Sequence, residues 1–393
     1  MSISRTLTVK KQKKRIDAKS VFSHVFSART FTILLLATFA CLMVAKPSFY
    51  LDATRHGLAL YATTVLPSLF PFYFVALMLT KIGAAKTLST LFEKPMRKLY
   101  LSPKESAYVM VLSMLSGYPV GASCLAELYK MGTVSQADVM RISAFTSTSG
   151  PIFMLGTVGS AIFGNVKVGI IILVSHYLGA LLNGLIFRRR RALERIKENA
   201  NKTHSSKTDG IKSSIINSNE NKSNHITNEY RQNKFESYKE NAAISNDKPS
   251  EAHEDIDVAL SESVAKSTMS MLTLGGYIVL AGLIIDTLEL VGARQALQKI
   301  FGDGGQIAVS LLFGLVEMTR GSIECAKCAS YPLGVAMCCG IVSFGGLSVI
   351  MQTYSFLSQT NMKLSQVLAR KLAQALVSFL IALGLSFALQ KVL

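Results

Sequence analysis

The chain has 393 residues, half of them hydrophobic and 17% charged, with a mean hydropathy of +0.35 and a formal charge of +18. Such a composition suits an apolar soluble enzyme or an integral membrane protein, and the placement of the apolar residues decides between them. Runs at 30–45, 57–80, 166–187, 268–290 and 366–390 approach the roughly 20 residues that cross a bilayer. The positive charge gathers at the ends of these runs, so the expected partner is the lipid bilayer and not nucleic acid. No nucleophile and base pair, phosphate loop or metal-ligand set stands out, so neither an enzyme nor a nucleotide-driven pump is expected, and no resident cofactor.

The basic tail, residues 1–29, carries Lys10, Lys11, Lys13, Lys14 and Arg15 and is expected on the cytoplasmic side. Residues 30–56 then form an anchor helix and loop, since the apolar run begins too far into the chain for an ordinary signal peptide. The run 57–80, interrupted by Pro67 and Pro71, returns to a basic loop holding Lys81, Lys86, Lys94, Arg97, Lys98 and Lys104. From there "ESAYVMVLSMLSGYPVGASCLAELYK" has two apolar arms of about ten residues around Gly117-Tyr118-Pro119. Each arm reaches about 15 Å, half the hydrocarbon thickness, which predicts a re-entrant hairpin. A crossing at 138–163, broken at "TSTSGP" (146–151), and a full crossing at 166–187 complete a first unit, 57–187.

Residues 188–262 hold over half of the chain's 24 acidic residues and few aliphatics, the composition of a disordered cytoplasmic linker. In the second unit, 263–393, the order recurs: a full crossing (268–290), a short two-armed segment around "EMTRGS" (317–322), a crossing broken at "SFGGLS" (343–348) and a last helix (366–390). "FYFVALML" (72–79) lies over "GYIVLAGL" (276–283), and "STSGPIFM" (147–154) over "SFGGLSVI" (343–350). The expected fold is therefore an all-α multi-pass membrane protein of two repeats, each with three crossings, one of them broken, and a hairpin. An odd number of crossings inverts the second repeat, the design of secondary transporters with sites where discontinuous helices meet.

"LFPFYFV", "SMLSGYPVGA", "FTSTSGPIFMLGTVG", "HYLGALLNG", "EMTRG" and "SFGGLSVIMQ" together resemble the YlbJ type of sporulation integral membrane protein. That family carries Gate, or nucleoside-recognition, domains similar to those of concentrative nucleoside transporters and FeoB iron transporters. The resemblance covers roughly 57–187 and 264–390. It implies a transporter-like core in the bacterial cytoplasmic membrane, or in a forespore membrane if the host sporulates, with a dipicolinate-like dianion as cargo. A nucleoside transporter and a non-transporting scaffold that recruits partners through tail and linker are the alternatives.

The candidate site gathers the two hairpin tips and the two breaks. In the first tip Ser116, Gly117, Tyr118, Pro119 and Gly121 would offer free backbone N–H groups to an anion. Beside it, Thr146, Ser147, Thr148 and Ser149 either cap a helix starting at Pro151 or bond cargo or a cation. Ser343, Gly345, Gly346, Ser348 and Gln352 take the mirrored place in the second half. The second tip adds Glu317, Thr319, Arg320 and Gly321, and Arg320 either pairs with Glu317 or grips the anion. Protonation of Glu317 would couple transport to protons, with sodium as the other coupling ion weighed. Glu127 and Glu324 are read as interfacial, His176 as a packed, hydrogen-bonded residue, and the six cysteines, including Cys325-x-x-Cys328, as small packing residues or a redox or metal pair. A homo-oligomer stays open.

Overall fold

A computed structural model of the chain describes residues 28–82, 89–90, 92–188 and 256–390. The basic tail, nearly all of the linker and Lys86 of the basic loop lie outside these residues. Among the described residues every regular element is helical. Five helical stretches are long and apolar enough to cross a membrane: Val166–Arg188, Ile256–Leu290, Ala293–Val316, Tyr331–Thr360 and Leu364–Ala388. The chain is thus a multi-pass, all-α membrane protein.

Two units divide at His56 and Gly57. In the first, helix α1 (Ala28–Ala45) exposes Ile33, Leu34, Leu35 and Leu36, an all-round apolar surface suited to lipid. The expected loop after it is instead helical: α2 (Pro47–Leu60) starts on Pro47, whose fixed φ and missing N–H suit a first helical turn. Phe39 packs edge-on against Tyr50 at 5.8 Å.

The second unit opens with a π-helical turn, Tyr61–Val65, ahead of α3 (Leu66–Lys81). Pro67 lies in the first turn of α3 and Pro71 inside it, so each removes one helical donor, and the wide turn just before them absorbs the mismatch. Next come α4 (Glu105–Ser116) and α5 (Val120–Lys130). They fold back on each other: a Cβ on Gly121 would stand 2.7 Å from Ser113 Oγ, whereas residues eight apart in one helix are separated by about 12 Å. After α6 (Gln136–Ile142) the chain is irregular to Gly150, then π-helical over Phe153–Ile162, and α7 (Val166–Arg188) follows.

The second half begins earlier than its hydropathy suggests. Helix α8 (Ile256–Leu290) is 35 residues long, about 52 Å, and takes in the last residues assigned to the linker. Its first turns bury Ala259, Ser263 and Ser267 and expose Val258, Leu260 and Val264. Small polar residues therefore form the packing stripe, the reverse of a soluble amphipathic helix. Lys81 pairs with Glu262, and Lys266 with Glu127, which ties this extension to α3 and α5.

Helix α9 (Ala293–Phe301) was not expected as a separate element. Its residues and those of α10 (Gly305–Val316) add up to one apparent span, but the chain reverses between them: a Cβ on Gly305 would lie 2.6 Å from Gln298 Cα. Helices α10 and α11 (Met318–Cys325) form the second hairpin, meeting so closely that a Cβ on Gly321 would lie 2.7 Å from Gly314 N. The broken crossing that follows is α12 (Tyr331–Phe344) and α13 (Gly346–Leu357), separated at Gly345, whose φ is +87°. Last, α14 (Leu364–Ala388) lies between α7 of the first half and α12 of the second. Ser378 of α14 presses on Gly179 of α7, a small-residue contact that lets two membrane helices approach.

Substituting Gly321 by valine should therefore separate the hairpin arms and lower stability by about 1–3 kcal/mol. Gly276→Ala and Gly282→Ala, where a Cβ meets nothing within 4 Å, should hold or slightly raise it. Thermal unfolding of the three variants in detergent checks this, and an unshifted Gly321→Val midpoint would contradict the close approach.

Candidate functional site

The four chain breaks converge. Gly117, with φ +82°, ends α4, and a Cβ on it would stand 3.0 Å from Gly150 Cα, so the first tip lies on the first break. A Cβ on Gly346 would stand 3.0 Å from the Gly314 and Val316 carbonyls, so the second tip lies on the second break. Between them opens a narrow cleft of about 60 Å3, smaller in this arrangement than the roughly 300–1,000 Å3 of small-molecule sites. Tyr118, Ser149, Thr157, Glu317, Thr319, Ser348 and Gln352 supply its polar lining. Most of the rest is apolar, with Leu274 and Ile278 of α8 and Phe153 of the π-helical segment prominent.

A buried polar centre adjoins this cleft. His176 of α7 is fully buried and takes the Ser149 N–H on Nε2 at 2.9 Å. A backbone N–H can only donate, so Nε2 carries no proton and Nδ1 donates to Ser343 Oγ at 2.7 Å. One neutral imidazole thus joins the two breaks. Tyr118 reaches across from the first tip: its hydroxyl lies 3.3 Å from the Val342 and Ser343 carbonyls and accepts from Lys371 Nζ at 2.6 Å. Lys371, on α14, also donates to the Ser147 carbonyl at 3.2 Å.

Several expected site residues turn out to serve the backbone. Thr146 Oγ1 bonds back to the Ile142 carbonyl at 2.9 Å and Thr148 Oγ1 meets Ser113 Oγ at 2.9 Å, so neither caps a helix at Pro151. Ser116 is buried where its carbonyl meets Gly150, and Gly121, Gly321 and Gly345 are packing and turn positions. Pro119 lines a second, more open pocket with Ser270, Thr273 and Gln359, and Gln352 borders both pockets. Of the expected site residues, Ser147 Oγ and Gln352 Oε1 are buried without a hydrogen bond, as are eight other side-chain atoms among the described residues.

The pairing of the second tip's charges differs from expectation. The Glu317 carboxylate takes the backbone N–H of Arg320 at 2.8 Å and the Thr319 hydroxyl at 3.1 Å, capping α11. A carboxylate there meets both an orphan N–H and the positive end of the helix. The Arg320 guanidinium pairs instead with Asp286 of α8 and is not part of the cleft lining. Glu324 is another correction: it is buried and not interfacial, bonded by Arg294, Lys327 and Gln306. Glu127 sits half-buried against Lys266. Cys325 and Cys328 are free thiols, Cys325 in the core and Cys328 within reach of Ser310 Oγ.

Lys371 escaped the sequence reading because "LARKLAQ" opens the last apolar run, where a lysine reads as a helix-end residue reaching for water. The signal that marks it is its position, eighth in a 25-residue helix and beside Arg370. Arg370 turns away, to the Met140 carbonyl at 2.9 Å and the Phe187 ring at 5.0 Å.

Two variants check this geometry. His176→Phe should cost about 1–3 kcal/mol by leaving the Ser149 N–H and the Ser343 hydroxyl unpaired, read as a lower unfolding midpoint; no change would remove the bridge. In a cycle of Arg320→Ala and Asp286→Ala, the double variant should lose less than the sum, by roughly 0.5–1 kcal/mol. Strict additivity would deny the pair.

No family model matches the chain, and no solved structure matches it. Among curated proteins it is similar to the sporulation integral membrane protein YlbJ of Bacillus subtilis (strain 168), 25% identical over 356 residues, spanning 88% of this chain and 78% of that protein. With the multi-pass helical fold, that similarity supports a YlbJ-type integral membrane protein.

Proposed function

We propose that the chain is a secondary transporter of a small organic anion, a dipicolinate-like carboxylate in the resemblance's terms, working by alternating access between its two hairpins. The observation that carries this reading is the convergence of both hairpin tips and both helix breaks on one cleft that retains an unpartnered buried amide oxygen at Gln352. Broken helices are tolerated within a membrane protein where they face protein or a water-filled cavity, and such breaks are where transporters place their ligands. The polar lining is sparse and directional, with the remainder apolar, which suits a planar aromatic ligand with polar edges.

One observation favours a second reading, a nucleoside. The charged residue lining the cleft is Glu317, an acid, and Gln352 offers an amide beside it. An uncharged ligand with several donors would meet both without a cation.

Reconstituted proteoliposomes separate the two. Labelled pyridine-2,6-dicarboxylate should accumulate saturably above protein-free liposomes, and Gln352→Ala should cut the rate roughly tenfold, the effect of about 1.4 kcal/mol. Uptake of a nucleoside and none of the dicarboxylate would establish the second reading. Flux of neither would leave a membrane scaffold.

A further inference from the structure

The basic side chain bonded to the cleft-lining Tyr118 is enclosed. Lys371 has 2% of its surface exposed, and its Nζ is held by the Tyr118 hydroxyl, the Ser147 carbonyl and the face of the Tyr118 ring, 4.2 Å from the ring centre. Among the described residues no carboxylate pairs with it. The elements packed around this part of α14 bring Tyr118 from the first tip, His176 and Tyr177 from α7, and Cys339 from α12. None of these is an anion at neutral pH, and His176 is fixed as the neutral tautomer by the Ser149 N–H. The Glu317 carboxylate is engaged by Arg320 N–H and the Thr319 hydroxyl, and the Arg370 guanidinium points to the other side of α14.

An ammonium removed from water without a counter-charge loses far more hydration than one hydroxyl, one carbonyl and one ring can return. A neutral amine loses little in the same place and still donates both hydrogen bonds. The balance shifts once a carboxylate enters. Tyr118 stands between the two, lining the cleft on one side and accepting from Nζ on the other. An anion in the cleft would therefore sit one residue from the amine.

We propose that Lys371 is a neutral amine in the arrangement described, and that it takes up a proton when a carboxylate of the cargo enters the cleft. The amine's lone pair accepts a proton from solvent entering with the cargo, and the resulting ammonium neutralises one carboxylate. No bond within the cargo changes. A dianion would then be carried with one proton and one net negative charge. This inference rests on the anion-transport reading and moves the coupling group from Glu317, where the sequence put it, to Lys371.

The test is calorimetric titration of the purified full-length protein with pyridine-2,6-dicarboxylate at neutral pH, in HEPES and in Tris, whose ionisation heats differ. The buffer dependence of the binding heat counts protons taken up. The wild type should take up about one per anion bound. Lys371→Arg, always charged, should bind without proton uptake, and Lys371→Met should bind roughly thirtyfold more weakly or worse. Binding with no proton uptake by the wild type, or undiminished uptake in Lys371→Arg, overturns the role of Lys371 and leaves anion binding standing. Absence of any binding by the wild type instead sinks the anion reading, and this inference with it. A wild-type count of zero overturns the inference without either variant, and a count of one that Lys371→Arg abolishes assigns the proton to Lys371 and not to Glu317.

Discussion

Where a helix breaks inside an apolar surrounding, the peptide groups it frees must find partners, and the centre of this protein is organised around that demand. At the first break the Thr146 carbonyl is met by the Ser113 hydroxyl, the Ser147 carbonyl by Lys371 and the Ser149 N–H by His176. At the second, the Val342 and Ser343 carbonyls face the Tyr118 hydroxyl. At the second tip the Arg320 N–H is met by Glu317. Partners come from elements remote in sequence: Tyr118 is separated from Ser343 by 225 residues and from Lys371 by 253. Satisfying the breaks is thus also what fastens the two halves together.

The same demand redistributes the charges. The second tip, with Glu317 and Arg320, looks from sequence like the charged one, and the first tip like a cradle of bare backbone. In the structure Glu317 is spent on capping α11 and the Arg320 guanidinium on Asp286. The basic group at the centre is Lys371, and it is bonded to the first tip.

Much of the fold could be read from the sequence, and the exceptions share a cause. Hairpins and breaks were visible because glycine and proline interrupt apolar runs at Gly117-Tyr118-Pro119 and Gly345-Gly346, where the backbone takes positive φ. The first twelve residues of α8 were hidden because membrane helices pack through small residues, so Ala259, Ser263 and Ser267 fall outside the apolar run at 268–290 while forming the contact face. Helix α9 was hidden because "ARQALQKIF" is interrupted by polar residues and lies between the expected crossing at 268–290 and the two-armed segment, where no apolar run marks an element. Of the candidate site residues, Tyr118, Ser149, Glu317, Thr319, Ser348 and Gln352 come together at the cleft, each next to a break that sequence could locate. Arg320 does not, and Lys371 was missed, for one reason: a charged side chain is long, and which way it reaches depends on partners that no local spacing reveals.

On the proposed transport reading, a centre built this way would link ligand binding to conformation without an added device. His176 is hydrogen-bonded to both breaks at once, and Tyr118 ties the first tip to the second break, so the breaks cannot part while those bonds stand. A ligand that competes for the same donors and acceptors weakens the fastening in the act of binding, and a differential affinity for the two arrangements is what shifts their populations. On the same reading, the unbonded Gln352 Oε1, which borders the cleft, has hydrogen-bonding capacity that a polar ligand there would use while the bonds between the halves exchange partners. The cost of parting the breaks would then be met at the point of contact, since the cleft and the fastening share Tyr118 and Ser149.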